Sequence, residues 1–283
     1  MRGAFGRPTF RSMSDQAIRP REPAINLPGL ILGFILVLIA IHAVRGWWLT
    51  PRTDVQLLFD AGFVPARWSL LFGFATPDDI LREASAGIGD ADAAAAHIAI
   101  AKYVIATPGA GLLTGVSYAL LHGSWMHVVL NCVWLAAFGS PVLRRSGPVR
   151  TLVLALFSTV GAVLLHWLFN PTSSQVVIGA SGTVSGLMGA AALFVFERPI
   201  PVRTWPPVLP RRSSLAGLLQ NRSARFFLGT WLGINLLVGL VSQPLGIAEG
   251  GIAWQAHIGG LLTGLLFFPL LDPVGRSPRS SFP

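Results

Sequence analysis

The sequence predicts an all-α membrane protein whose chain crosses the bilayer six times. Of its 283 residues, 52% are hydrophobic and only 12% are charged, whereas about a quarter of the residues in soluble domains are charged. Six apolar stretches are long enough, or nearly long enough, to cross a hydrocarbon layer of about 30 Å. Within a membrane domain 27–271, they cover residues 27–46, 112–139, 151–169, 181–196, 226–241 and 251–271.

The basic residues indicate how these spans are oriented. Most of the 21 Lys and Arg residues lie in the N-terminal tail, the second and fourth loops and the C-terminal tail. Loops rich in Lys and Arg stay on the cytoplasmic side, so we expect both termini there, in the cytoplasmic (inner) membrane of a bacterium. This topology accounts for the net charge of +9, and a nucleic-acid partner is therefore not expected.

Outside the spans, the chain has two tails and one long connection. The tails contain arginines among Pro, Ser and Gly, and the N-terminal one is predicted to be disordered. The connection carries charges of both signs and is predicted to fold, with a helix that starts at Thr76-Pro77 and a second, interfacial helix at 91–106. The cytoplasmic tails are 1–26 and 272–283, and the non-cytoplasmic connection is 47–111.

The stretch 178–186, which reads IGASGTVSG, joins an uncharged loop to the start of the fourth span. A helix that begins at Ser181 gathers unpaired backbone N–H groups around the serine hydroxyl, where they can hold an oxyanion. The fourth span is only 16 residues long, so its first turn is expected below the membrane surface, beside a hydrated cavity. Alternatively, Gly179 and Gly182 belong to a small-residue packing face.

The sixth span contains an ionisable side chain, His257, followed by Gly260 and Gly264. Glycines four residues apart give a helix a flat face, and the glycines after Ser181 do the same for the fourth span. Two such faces would let Ser181 and His257 approach to hydrogen-bonding distance, as a nucleophile and its base require. The alternative is a histidine that only stabilises the helix bundle by a hydrogen bond.

A dyad is favoured over a triad, because no Asp or Glu lies within the six spans. His127 and Asn131 lie four residues apart on one face of the second span. With the backbone N–H of Ser181, they are candidates to donate hydrogen bonds to an oxyanion. The single cysteine excludes a disulfide within the chain, and no Cys/His spacing resembles a metal site. We expect neither a metal nor a cofactor.

Three motifs thus lie in order on separate spans. They are His122-x-x-x-x-His127-x-x-x-Asn131, Gly179-Ala180-Ser181-Gly182 and Ala256-His257-x-x-Gly260-x-x-x-Gly264. Together, over about 112–271, they resemble the rhomboid family of intramembrane serine proteases. The resemblance implies a six-helix bundle with a short fourth helix and a Ser181–His257 dyad. It also implies oxyanion donors at His127 and Asn131, and a structural role for His122.

The same resemblance implies that the protein cleaves transmembrane segments of other membrane proteins through an acyl-enzyme. Substrates would enter beside the fifth span and the loop 242–250. The bilayer and these substrates are the expected partners, and the sequence does not indicate an oligomeric state. The competing class is a non-catalytic rhomboid-like protein that binds membrane segments, which the presence of both Ser181 and His257 disfavours.

Two positions depart from the family pattern. Many members have Trp-Arg in the first connection, where this chain has Arg67-Trp68 in the reverse order. Some members have an aromatic residue against the catalytic histidine, four residues after the serine, where this chain has Ser185. Neither departure removes a reacting group, but both bear on the position of the first connection and the orientation of His257.

Overall fold

The computed structural model describes residues 27–197, 211–241 and 253–274, and the described residues contain helices and no β-strand. The predicted tail 1–26, the loop 242–250 and most of the tail 272–283 lie outside them. The helices are α1 (Gly29–Trp48), α2 (Pro51–Ala61), α3 (Pro65–Phe72), α4 (Pro77–Ser85), α5 (Ala91–Ala106), α6 (Thr114–Ser117), α7 (Trp125–Trp134), α8 (Ser140–Ser146), α9 (Pro148–Phe169), α10 (Ser181–Val195), α11 (Leu215–Gln220), α12 (Arg222–Val241) and α13 (Trp254–Leu271).

Among the described residues, five helical segments are long and apolar enough to cross a membrane. They are α1, the continuous segment Trp125–Ser146 formed by α7, a π-helical turn and α8, and the helices α9, α12 and α13. Helix α10 is apolar but has only 15 residues, and it begins at Ser181 as the sequence predicted. The chain is therefore a multi-pass all-α membrane protein.

The second membrane segment differs from the predicted range 112–139. The apolar stretch is broken, because the backbone is extended at Leu121 and Ser124, and the membrane helix runs from Trp125 to Ser146. The Ser124 hydroxyl accepts a hydrogen bond from the His127 N–H at 3.2 Å and caps the new helix. Hydropathy alone cannot detect this break, since both sides of it are apolar.

Helix α10 lies at the centre of the bundle. It packs most closely against α13 and α9, and most of its residues are buried. Helix α12 is peripheral: of its residues, all of which the structure describes, only Ala224 is buried. The short helix that starts at Ser181 is therefore held rigidly, whereas α12 has little contact with the bundle.

The long first connection folds around a small core of its own, as predicted. Helix α4 starts after Thr76, which forms a reciprocal pair of capping hydrogen bonds with Asp79, and Pro77 occupies its first position. Helix α5 covers the predicted range Ala91–Ala106. The buried cluster that joins these helices to α3 consists of Val64, Ala66, Ile80, Ala84, Ala101 and Val104.

The reversed pair Arg67-Trp68 ties this connection together. The buried Arg67 guanidinium donates to the Phe59 carbonyl and, at 2.9 Å, to the Thr107 hydroxyl. Burial lowers the pKa of Arg67, although a guanidinium keeps its charge in proteins. The Trp68 ring lies edge-on to Trp167 of α9, with the ring centroids 5.8 Å apart. The pair therefore links the connection to the membrane bundle.

A buried cluster of charges closes the C-terminal end of α13. The Asp272 side chain is fully buried, 2.9 Å from Arg145 and 3.3 Å from Arg212, and the Arg145 guanidinium lies 4.6 Å above the Phe194 ring. The predicted cytoplasmic tail 272–283 begins at Asp272, and the burial of this side chain against two arginines was not predicted from the sequence. A carboxylate at this position compensates two buried cations and joins α13 to the end of α8.

We expect Asp272→Asn to lower the free energy of unfolding by about 3–5 kcal/mol, since it removes a carboxylate charge that lies between two buried guanidinium groups. Thermal unfolding in detergent micelles measures this as a fall in Tm. Asp92→Asn, at an exposed position, is the matched control and should leave the Tm unchanged. Equal Tm values for the two variants would contradict the role of Asp272.

Candidate active site

Ser181 and His257, which are 76 residues apart in the chain, lie in hydrogen-bonding contact. The Nε2 atom of His257 is 2.8 Å from the Oγ atom of Ser181. Ser181 is the first residue of α10 and His257 lies in the first turn of α13. Both side chains are partly exposed, so a reactant can reach them. An imidazole nitrogen at this distance is placed to take the hydroxyl proton.

Glycines bring the two helices this close together. A Cβ atom added to Gly260 would overlap the carbonyl group of Gly182, and one added to Gly264 would overlap the carbonyl group of Gly186. The backbones of α10 and α13 are therefore in direct contact beside Ser181 and one turn further along α10, and one and two turns after His257 on α13. Any larger residue at these positions would separate the helices and lengthen the Ser181–His257 distance.

We expect Gly260→Val to lower the free energy of unfolding by about 1–3 kcal/mol or more, because the added side chain overpacks the contact between α10 and α13. Thermal unfolding in micelles tests this. Gly33→Val in α1 is the control, since a Cβ atom at Gly33 meets nothing within 4 Å. A Gly260→Val protein as stable as Gly33→Val would show that this contact is not tight.

The turn before Ser181 requires glycine. Gly179 has a φ of +120°, which side-chain-bearing residues rarely adopt. A Cβ atom at Gly179 would lie 2.7 Å from His127 Nε2 and 3.8 Å from Ser181 Oγ. The imidazole of His127 and the hydroxyl of Ser181 therefore lie beside the same glycine.

His127 and Asn131 lie one turn apart on α7, and the His127 ring contacts this turn. The Asn131 amide donates one hydrogen bond to the His127 carbonyl at 2.9 Å, and its second N–H proton remains available. The Nδ1 atom of His127 lies 3.5 Å from the Gly123 N–H, a long contact. If Nδ1 accepts this bond, the proton of His127 is on Nε2, the nitrogen beside Gly179.

His122 supports the backbone immediately before Ser181. Its side chain is fully buried, and its Nε2 atom accepts a hydrogen bond from the Ala180 N–H at 3.3 Å. The His122 carbonyl accepts from Arg45 at 2.7 Å, and Arg45 also pairs with Asp54 at 2.7 Å. The sequence analysis did not identify this ion pair, which connects α1 and the first connection to the site.

The folded first connection also holds the loop that leads to Ser181. Phe63 and Val177 exchange backbone hydrogen bonds of 3.0 and 2.8 Å in an isolated antiparallel bridge. The Ser69 hydroxyl donates to the Pro171 carbonyl at 2.6 Å. These contacts span about a hundred residues of sequence, and no local motif indicates them. They show that the connection positions the serine-bearing loop.

Two further polar side chains, Ser185 and Asn235, form hydrogen bonds with Ser181 and His257. Ser185 donates its hydroxyl to the Ser181 carbonyl at 2.7 Å, within α10. Asn235 of α12 lies on the other side of the imidazole, with its Oδ1 atom 2.6 Å from His257 Nδ1. The sequence analysis missed Asn235. The signal was available, because a polar amide inside an apolar span usually faces a partner.

Each histidine of the site contacts other side chains of the protein. The rings of His122 and His127 meet edge to face, with centroids 4.9 Å apart, while His257 contacts Ser181 and Asn235. The described part of the chain contains no group of three or more His, Cys, Asp or Glu side chains that could hold a metal ion.

Together, the fold and the site define a multi-pass membrane protein with a serine–histidine pair where two apposed helices begin. The family model of the Rhomboid domain matches residues 110–272, a range that includes all three motifs. The chain therefore belongs to the rhomboid family, as the motifs predicted.

Curated relatives are similar over about half of this chain. It is 28% identical over 152 residues to "Rhomboid protease GlpG" of Haemophilus influenzae, covering 54% of this chain and 66% of that protein. It is 30% identical over 151 residues to the protein of the same name from Serratia proteamaculans, covering 53% and 45%. It is 26% identical over 160 residues to "Rhomboid protease AarA" of Providencia stuartii, covering 52% and 51%.

Proposed function

We propose that this protein is an intramembrane serine endopeptidase that cleaves transmembrane segments of other membrane proteins. The observation that carries the proposal is the 2.8 Å contact between Ser181 Oγ and His257 Nε2, on helices whose backbones touch. Relatives named rhomboid proteases support a peptidase. A rhomboid-like protein that only binds membrane segments has no need of such a pair.

The proposed reaction follows the general path of serine acyl transfer. His257 Nε2 takes the proton of Ser181 as the hydroxyl oxygen attacks the carbonyl carbon of the scissile peptide. The resulting imidazolium returns the proton to the leaving amine, and an acyl-enzyme remains. Water from the partly exposed site then hydrolyses the ester, with His257 acting again as the base.

The oxyanion of each tetrahedral intermediate needs hydrogen-bond donors beside Ser181. The backbone N–H of Ser181 has no helical partner, because it belongs to the first turn of α10. The free N–H of Asn131 and the imidazole of His127 are the side-chain donors that we assign. Preorganised donors of this kind stabilise the charge that develops in the transition state.

The scissile segment must leave its helical conformation, since a helix engages its peptide carbonyls in internal hydrogen bonds. We assign substrate entry to the side of α12, which has few buried residues. The predicted entry loop 242–250 lies outside the described residues. The proposal places the protein in a bacterial inner membrane with both termini in the cytoplasm.

A fluorophosphonate serine probe tests this proposal on the purified protein in detergent. We expect adduct formation on Ser181, located by peptide mass spectrometry, and its loss in Ser181→Ala and in His257→Ala. Ser223→Ala and His97→Ala, at exposed positions, are the matched controls and should react like the wild type. A folded wild-type protein that does not react would favour the non-catalytic binder.

We expect His127→Ala and Asn131→Ala each to lower turnover by about 10²- to 10³-fold, the usual cost of one lost oxyanion donor. The substrate in this assay is a single-span test protein with helix-destabilising residues near one membrane face, co-reconstituted in liposomes. A variant with unchanged turnover would remove that residue from the oxyanion site.

A further inference from the structure

We propose that Asn235 is a positioning residue that selects the reactive tautomer of His257, and that it does so only while α12 is seated against α13. The inference rests on the proposed Ser181–His257 chemistry and extends it to a third side chain on a third helix. A chain of hydrogen bonds connects Trp231, Asn235, His257 and Ser181, and the backbone carbonyl of Trp231 fixes its direction at one end.

The amide of Asn235 is oriented by its own helix. Its Nδ2 atom donates to the Trp231 carbonyl at 2.8 Å, so the nitrogen end of the amide faces the backbone. The oxygen end then faces His257, with Oδ1 2.6 Å from Nδ1. Because an amide oxygen can only accept, the proton of a neutral His257 must be on Nδ1.

This tautomer is the one that the proposed reaction needs. With the proton on Nδ1, the Nε2 atom of His257 carries a lone pair, and this atom lies 2.8 Å from Ser181 Oγ. The other tautomer would place a proton between Nε2 and the serine, and His257 could not act as a base. Asn235 therefore takes the orienting role that a carboxylate has in a triad, without adding a charge inside the membrane.

No neighbouring side chain on α10 duplicates this role. Ser185, one turn after the nucleophile, donates its hydroxyl to the Ser181 carbonyl and is thereby directed along its own helix. Within α12, Ile234 is 55% exposed and Leu237 is 61% exposed. A polar amide on such an apolar helix is costly unless it is hydrogen-bonded.

The position of α12 decides whether this contact exists. Near the start of the helix, the Phe227 ring packs against Phe138 and Phe196, with centroids 5.8 and 5.5 Å apart. Further along, a Cβ atom at Gly239 would overlap the Trp254 ring at the start of α13. A displacement of this second half of α12 would remove the acceptor from His257 and leave its tautomer unspecified.

The first test measures how fast the fluorophosphonate probe labels Ser181 as its concentration is raised, which separates the maximal rate from the half-saturating concentration. We expect Asn235→Leu to lower the maximal rate by about 10- to 100-fold, the scale on which hydrogen-bond partners of metal-bound histidines act. The half-saturating concentration should not change. Asn235→Asp, which keeps an oxygen acceptor, should recover most of the rate, and Leu237→Ala, at an exposed position, should match the wild type.

An unchanged maximal rate in Asn235→Leu would overturn the inference, and so would an Asn235→Asp protein as slow as Asn235→Leu. Neither result would affect the proposed function, provided that the wild type is labelled on Ser181. Conversely, a wild type without a Ser181 adduct would refute the proposed function itself.

A wedge variant tests the dependence on α12 and does not rely on Asn235→Leu alone. Gly239→Val forces α12 away from Trp254, and we expect a fall in the maximal labelling rate similar to that of Asn235→Leu. In the double variant the two effects should not multiply, since both remove the same hydrogen bond. Multiplying effects, or a Gly239→Val protein with the wild-type rate, would contradict the coupling.

Discussion

The direct contact between the backbones of α10 and α13 is the constraint on which the rest of the site depends. Apolar helices gain little by hiding apolar surface from lipid, so close packing and hydrogen bonds hold a membrane bundle together. Gly182 and Gly260 allow the carbonyl groups and Cα atoms of the two helices to touch. This approach, next to Ser181 on α10 and one turn beyond His257 on α13, sets the 2.8 Å distance between their side chains.

The contact between α10 and α13 does not by itself position Ser181. The loop that precedes Ser181 is held by the first connection. The loop before Ser181 has no helical hydrogen bonds of its own. Its backbone pairs with Phe63, while the His122 ring accepts from Ala180. The connection can hold this loop in place because it has a buried core of its own and a buried, hydrogen-bonded arginine, Arg67. Peripheral helix α12 then supplies the third contact, from Asn235 to His257.

The sequence predicted those features that are encoded locally. Composition predicts the membrane bundle, and the spacing of glycines around Ser181 and His257 predicts which helices approach each other. Prediction from the sequence failed where segments that are far apart in the chain come into contact. The break before Trp125 is invisible to hydropathy, and the burial of Asp272 depends on Arg145, which is 127 residues away. Asn235 was not predicted because only acids were considered as a third group, although an amide oxygen can also accept a hydrogen bond from an imidazole.

The most direct test of the account is the structure of the protein after reaction with a small fluorophosphonate. Its phosphonyl oxygen occupies the position of an oxyanion. We expect phosphorus bonded to Ser181 Oγ, with that oxygen about 3 Å from the Ser181 backbone nitrogen, from His127 Nε2 and from Asn131 Nδ2. We also expect the His257 ring to remain between Asn235 and the adduct. An adduct on another side chain, or a phosphonyl oxygen directed away from these donors, would contradict the account.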